Sequence, residues 1–115
     1  MPNESGKTIR IEFTPTFKRN LRALAKKYRH IRSDVQPIIE RLQSGVVLGE
    51  RVPGVGHTIF KVRVRNSDIQ KGKSSGYRVI YYLKSGDNII LITIYSKLDQ
   101  GDISPRRIRQ ILNEI

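Results

Sequence analysis

Residues 60–65 read Phe60-Lys-Val-Arg-Val-Arg65, and after a polar segment the chain continues as Lys71-Gly-Lys-Ser-Ser-Gly-Tyr-Arg78. Side chains alternate between the two faces of a β-strand, so this stretch places three apolar residues on one face and three cations on the other. Neighbouring cations repel one another, and a polyanion would relieve that repulsion. The stretch therefore predicts a strand with one face toward a core and the other toward a charged ligand.

The composition points to the same kind of ligand. The chain has 22 Lys and Arg against 10 Asp and Glu, a formal net charge of +12 in 115 residues. Such an excess predicts a polyanionic partner, nucleic acid before an anionic membrane surface. The absence of cysteine excludes disulfides, thiolate catalysis and cysteine-based zinc sites. The longest apolar run, residues 89–92, is too short to span a bilayer, so we expect a cytoplasmic protein.

The N-terminal half predicts a strand followed by two helices. Residues 1–6 read as a disordered leader, and residues 7–115 as a single domain. A strand over 8–13 precedes a helix capped by Thr14, with proline at its first position. A second helix is predicted to begin at Ser33, at the start of a capping-box pattern, and to end at Ser44-Gly45.

The C-terminal half predicts three strands and a helix. Residues 46–58 read as a loop, and strands follow over 59–65, 77–84 and 89–95. The last strand is apolar on both faces and should be central. A final helix begins at Ser104-Pro105. The order β-α-α-β-β-β-α indicates an α+β fold, with a small, mainly antiparallel sheet, an N-terminal helical hairpin on one face and the cations on the other.

Several familiar catalytic arrangements are missing from the sequence. No cluster of His, Asp and Glu has the spacing of a metal site. Asp99 and Asp102 read as solvated or helix-start charges rather than as an acid–base pair. Gly72-Lys-Ser resembles the end of a phosphate loop, but Ser67 stands where the first glycine of that motif is required.

The remaining candidates are cations and tyrosines, which suit RNA or DNA. Lys and Arg contact phosphates, and tyrosines stack on bases. RNA also carries its own nucleophile, the 2′-OH, so cations that orient it and stabilise the developing charge can support cleavage without a metal. Tyr95, Lys71 and Lys73 are the alternatives for proton transfer, with the role of helping to remove the 2′-OH proton. The candidate cations are Lys61, Arg63, Arg65, Lys71, Lys73, Arg78 and Lys97.

Three segments resemble the RelE/ParE superfamily of bacterial toxins, and the RelE/HigB branch most. They are the cationic strand at 60–65, Ser74-Ser-Gly-Tyr-Arg-Val-Ile-Tyr81 and Ile92-Thr-Ile-Tyr-Ser-Lys97. The resemblance extends from Lys7 to Ile115 with the elements in the same order. It implies a RelE-like fold and a ribosome-dependent endoribonuclease that cleaves mRNA without a metal or cofactor. It also implies a cognate antitoxin that silences the toxin in a hetero-oligomer.

The resemblance also assigns site residues. Lys61 and Arg63 match the family's cationic strand pair, Arg78 the arginine of the next strand, and Lys97 a later arginine. The family's catalytic tyrosine aligns near Ile103, which cannot transfer a proton, so Tyr95 is the substitute. Arg65, Lys71, Lys73 and Tyr77 are expected to contact RNA.

Two other functions remain open at this point. One is a ParE-like toxin that binds gyrase and cleaves no RNA. The other is an RNA-binding module without catalytic activity.

Overall fold

The computed structural model describes residues 8–69 and 76–115, which form one five-stranded sheet and three helices. The sheet order is β1-β5-β4-β3-β2; β1 is parallel to β5, and the other neighbouring pairs are antiparallel. The predicted α+β class and element order are confirmed. The elements are β1 (Arg10–Phe13), α1 (Pro15–Lys27), α2 (Ile31–Gln43), β2 (Glu50–Val52), β3 (Ile59–Val64), β4 (Tyr77–Ser85), β5 (Asn88–Ser96) and α3 (Pro105–Leu112).

Thr14 starts α1 as predicted and also ties the helix to the sheet. Its Oγ1 accepts a hydrogen bond from the Phe17 backbone N–H at 2.9 Å and donates to the Ile92 carbonyl at 2.6 Å. The residue is fully buried, so both bonds lie away from water. One side chain thus caps α1 and fixes it against β5.

The predicted start of α2 at Ser33 was wrong. The helix begins at Ile31, and its N-cap residue, His30, makes no side-chain capping bond. Ser33 lies within the first turn, and its hydroxyl donates to the His30 carbonyl at 2.9 Å. Ile31 is fully buried, and its packing in the core stabilises a helix that begins two residues before Ser33. The predicted end is confirmed, since Ser44 is the C-cap residue.

The segment 46–58, predicted to be a loop, contains the short edge strand β2. Glu50 pairs with Lys61 and Val52 with Ile59. This strand was missed because three residues with two charges carry no alternation long enough to detect. The prediction for β5 is confirmed: it lies between β1 and β4, and all its residues except Asn88 are buried.

Both sheet faces carry apolar clusters, so the second face, on which the cations were predicted, also holds a core of its own. The first cluster lies under the α1–α2 hairpin, where Phe17, Tyr77 and Tyr81 are fully buried. The second lies under α3, where Ile108 and Ile111 pack with residues of β3, β4 and β5. The cations of β3 therefore share the second face with α3.

Candidate nucleic-acid interface

Three strands place Arg63, Arg78 and Tyr95 side by side on the face that α3 partly covers. Arg63 of β3 is the direct partner of Arg78 in β4, and Arg78 is the direct partner of Tyr95 in β5. Directly opposite side chains on antiparallel strands share a face, with Cβ atoms about 5 Å apart. We call these three residues the basic row. Two like charges in direct register destabilise a sheet, so this arrangement favours a bound anion.

Arg78 is the unusual member of the basic row because it is buried. Its exposed fraction is 5%, and its Nη1 donates to the Tyr77 carbonyl at 3.1 Å. Within the described parts of the chain, no carboxylate lies in ion-pair range of its guanidinium. A guanidinium stays charged in proteins and carries five N–H donors. A phosphate would supply both the counter-charge and the acceptors that this position lacks.

Lys61 and Lys97 lie beside the basic row and share one carboxylate. Asp102 Oδ1 is 3.4 Å from Lys61 Nζ and 3.6 Å from Lys97 Nζ, and Glu50 Oε1 is 3.9 Å from Lys61 Nζ. The hydrogen bond from Lys61, its charge and that of Lys97 hold the pKa of Asp102 below its ordinary value. We call Lys61, Lys97 and Asp102 the lysine bridge. The two cations predicted for catalysis are thus held by a carboxylate of the same chain.

The Tyr95 hydroxyl is buried at the inner end of the basic row. It makes no hydrogen bond with the described residues, although it lies near the Ile103 backbone, and its ring belongs to the cluster under α3. Burial raises the pKa of this phenol, and the charge of Asp102 raises it further. The phenol therefore keeps its proton at neutral pH, which suits a proton donor better than the predicted acceptor of the 2′-OH proton.

The remaining predicted site residues do not join this group. Arg65 is exposed just beyond the end of β3, and Lys71 and Lys73 lie outside the described residues. Tyr77 lies on the opposite face, fully buried and edge-on to Tyr28 with ring centroids 5.7 Å apart. A ring without exposed surface cannot stack on a base, so the prediction that Tyr77 contacts RNA is corrected.

Ile103 is half-buried against the cluster under α3, which fits its role as an apolar position. The link 97–104 that carries it also carries Asp99 and Asp102. Asp99 Oδ1 lies 3.5 Å from Lys27 Nζ of α1, whereas Asp102 forms part of the lysine bridge.

Asp102 is the residue of the candidate site that sequence reasoning missed. Its partner Lys61 is 41 positions away, and only the pairing of β3, β4 and β5 brings the two together. A carboxylate in a polar link gives no signal of such a contact.

The described residues offer neither a metal site nor a membrane span. Residues 8–69 and 76–115 hold no group of three or more His, Cys, Asp and Glu that could bind a metal ion. None of the helices α1, α2 and α3 in these ranges is long and apolar enough to cross a bilayer.

A comparison of the sequence with known protein families identifies a class of toxins. The family described as the ParE toxin of the type II toxin–antitoxin system parDE matches residues 11–100. No curated protein matches the chain in a sequence comparison. The family match confirms the predicted toxin class, and it names ParE rather than the RelE/HigB branch. The chain belongs to the ParE toxin family of type II toxin–antitoxin systems, in which a toxin is paired with a cognate antitoxin.

Proposed function

We propose that this toxin is a ribosome-dependent endoribonuclease that cleaves mRNA through attack of the RNA 2′-OH. The observation that carries the proposal is the buried guanidinium of Arg78, in direct register with Arg63 and Tyr95 and without a described carboxylate partner. A desolvated cation held by a strand backbone stabilises developing negative charge more strongly than an exposed cation does.

In the proposed reaction, the 2′-OH passes its proton to a solvent water molecule as the 2′-oxygen forms a bond to the adjacent phosphorus, and the bond from phosphorus to the 5′-oxygen breaks; solvent later returns a proton to the phenol that protonates the 5′-oxygen. The products are a 2′,3′-cyclic phosphate and a 5′-hydroxyl. Negative charge grows on the non-bridging oxygens, where Arg78 and Lys61 stabilise it, while Arg63 positions the RNA backbone. Tyr95 donates a proton to the departing 5′-oxygen, consistent with a phenol whose pKa burial raises. Its hydroxyl is buried, so this role requires that RNA binding expose it.

The lysine bridge gives the site an internal competitor for the phosphate. Asp102 contacts both Lys61 and Lys97. A phosphate that enters the site would take over these cations and release the Asp102 carboxylate to solvent, where 67% of its surface is already exposed. RNA binding therefore exchanges one anion for another and leaves no lysine unpaired.

The test incubates the purified toxin with an mRNA, with and without translating ribosomes, and maps the cut sites by primer extension. We expect cuts on ribosomes alone, with loss of cleavage in Arg78→Lys and Arg63→Gln. Arg78→Lys keeps the charge and removes the fork of donors. The matched control is Arg22→Gln on the exposed surface of α1, which should cleave as the wild type does. Uncut mRNA under both conditions would contradict the proposal.

Inhibition of DNA gyrase is the second candidate function, and the family match itself favours it because the matched family is named for ParE. A gyrase inhibitor works through a protein contact, so it does not require the basic row. The discriminating measurement is gyrase supercoiling in the presence of the wild type and of Arg63→Gln. Inhibition by both proteins, together with intact mRNA on ribosomes, would replace the nuclease proposal with this one.

A further inference from the structure

A cavity separate from the basic row lies between α3 and the loop that joins β2 to β3. Its volume is about 340 Å³. The residues around it include two arginines and three other polar side chains, and none of them is acidic. They are His57, Arg106, Arg109, Gln110, Leu112 and Asn113.

The α3 side of the cavity is a stripe of hydrogen-bond donors. Arg106, Arg109, Gln110 and Asn113 recur at intervals of three and four residues, so they share one face of the helix. The opposite face is anchored in the core by Ile108 and Ile111, which are at most 1% exposed. Packing of the apolar face thus determines where the donors point.

The loop side of the cavity is held in place by three contacts. Val55 is 3% exposed and packs in the cluster under α3. Arg109 Nη1 donates to the Gly54 carbonyl at 2.6 Å, which fixes the guanidinium of Arg109 against the loop. His57 lies near Tyr82, with ring centroids 5.0 Å apart. The cavity therefore exists before any ligand binds, and a ligand need not order the loop.

The cavity is positively charged, and none of the described residues supplies a counter-ion to it. In contrast to Lys61 and Lys97, neither Arg106 nor Arg109 forms an ion pair with a carboxylate in residues 8–69 and 76–115. Planar guanidinium groups with amide donors beside them match the oxygens of a phosphate. The ligand chemistry that fits is a phosphate group.

The position of the cavity indicates what carries that phosphate. His57 lies two residues before the start of β3, and Arg63 is the second-last residue of that strand. Both residues lie on the side of the sheet that holds α3. At about 3.3 Å per residue, the cavity and the basic row are separated by roughly 20 Å along the strand. An isolated small phosphate would occupy one of the two sites, whereas an extended polyanion reaches both.

We propose that the cavity between α3 and the β2–β3 loop binds a backbone phosphate of RNA at a distance from the site of cleavage. The identity of the polyanion rests on the proposed nuclease function, while the binding itself does not depend on catalysis. The cavity contributes affinity and register to RNA that the basic row holds at its scissile phosphate.

The test measures the affinity for a single-stranded RNA whose 2′-hydroxyls are methylated, so that it cannot be cleaved, over a series of KCl concentrations. The variants are Arg106→Gln and, as the matched control, Arg107→Gln. Arg107 is the next residue of α3, carries the same charge and does not line the cavity; its Nη1 lies 3.4 Å from Gln110 Oε1. Thermal unfolding checks that both variants fold.

Loss of one phosphate contact should weaken binding and reduce the slope of log K against log salt by about 0.7 in Arg106→Gln. The slope of Arg107→Gln should stay at the wild-type value. Equal losses in both variants, or no loss in either, would overturn the proposal, as would a wild type that fails to bind RNA.

Cleavage on ribosomes separates this proposal from the nuclease proposal. Arg106→Gln should raise KM and leave kcat unchanged, since its side chain lies far from the reacting phosphate. If no variant or wild type cleaves mRNA but the slopes still differ as described, the nuclease proposal fails and the phosphate site stands.

Discussion

Asp102 illustrates how one side chain can set the charge of a binding surface. Its carboxylate lies within 3.6 Å of the ammonium groups of both Lys61 and Lys97, so it neutralises part of the face that would meet RNA. The exposed position of Asp102 means that the bridge adds little to fold stability. We expect its main effect on the proposed RNA binding, because a phosphate that approaches Lys61 would compete with this carboxylate.

We therefore predict that Asp102→Asn binds RNA about twofold to fivefold more tightly than the wild type, because two cations lose their competitor. The salt dependence should be steeper, with about one additional phosphate contact. The matched control is Asp99→Asn, since Asp99 pairs with Lys27 of α1 and lies outside the lysine bridge. Fluorescence anisotropy with a non-cleavable RNA measures the affinity and its salt dependence for each variant. Equal gains in the two variants would show a general effect of net charge.

The comparison of wild type with Asp102→Asn also gives a prediction for the pH dependence of stability. The lysines hold the pKa of Asp102 below its ordinary value of 3.8, so the folded state favours the ionised carboxylate. The resulting stabilisation is present above the unfolded-state pKa and is lost as the pH falls through the lower folded-state pKa. The difference in unfolding free energy between wild type and Asp102→Asn should thus be constant near neutral pH and shrink in acid. Urea unfolding over a pH series tests this, and a difference that grows in acid would contradict it.

The hydroxyl of Tyr95 allows its effect on stability to be separated from its proposed role in catalysis. Its buried hydroxyl has no hydrogen-bond partner in the described structure, and an unsatisfied buried group is destabilising. We predict that Tyr95→Phe unfolds at the same urea concentration as the wild type or a higher one, with a gain of about 1 kcal/mol. If the phenol donates a proton to the 5′-oxygen, kcat on ribosomes should fall by about 10²-fold to 10⁴-fold. Loss of stability together with activity would mean that the hydroxyl has a structural role.

At the scale of elements, the edge strand β2 depends on the close approach of Gly49 to β3. Gly49 has φ +82°, and a Cβ built there would lie 2.2 Å from the Lys61 carbonyl oxygen. A side chain at this position must push β2 away from the strand that carries Lys61. The same approach links the edge of the sheet to the lysine bridge through Lys61.

Gly49→Ala should accordingly destabilise the protein by about 2 kcal/mol or more, from left-handed backbone strain and the clash with the carbonyl. The control is Gly86→Ala in the β4–β5 turn, where nothing lies within 4 Å of a built Cβ and φ is not in the left-handed region. Urea unfolding monitored by circular dichroism compares the two. A cost for Gly49→Ala no larger than that of Gly86→Ala would rule out the close approach.

The elements that the sequence predicted well are those whose signal is local. Thr14 with Pro15, and Ser104 with Pro105, start α1 and α3 because a cap and an N1 proline act within one turn. The start of α2 and the strand β2 were missed because burial of Ile31 and pairing with β3 decide them.

The features of the candidate site also divide into those with a local sequence signal and those that depend on distant contacts. Alternation in residues 60–65 predicts that Lys61 and Arg63 share a face, and the strand pairing confirms the register with Arg78. The burial of Arg78 and the contact of Asp102 with Lys61 join parts of the chain that are distant in sequence, so they follow only from the three-dimensional structure.

At the scale of the whole molecule, the charge of +12 is spread over several surfaces. Exposed cations cover α1 and α3 as well as the end of β3. A field of one sign accelerates the approach of any oppositely charged partner, whichever surface that partner finally contacts. The type II toxin–antitoxin family implies a cognate antitoxin as a partner. An acidic antitoxin would be attracted by this field.

We predict that the association rate of the toxin with its cognate antitoxin falls at least tenfold between about 0.05 M and 0.5 M KCl, because screening removes the long-range attraction. The dissociation rate should change much less, since short-range contacts govern it. Stopped-flow fluorescence over a salt series measures both rates.

The pair Arg19→Gln and Arg107→Gln tests the origin of the effect: remote charges on α1 and α3 should slow association by similar small factors. A large effect of one variant alone would place its arginine in the interface, and an association rate independent of salt would show that the net charge serves RNA binding rather than capture by the antitoxin.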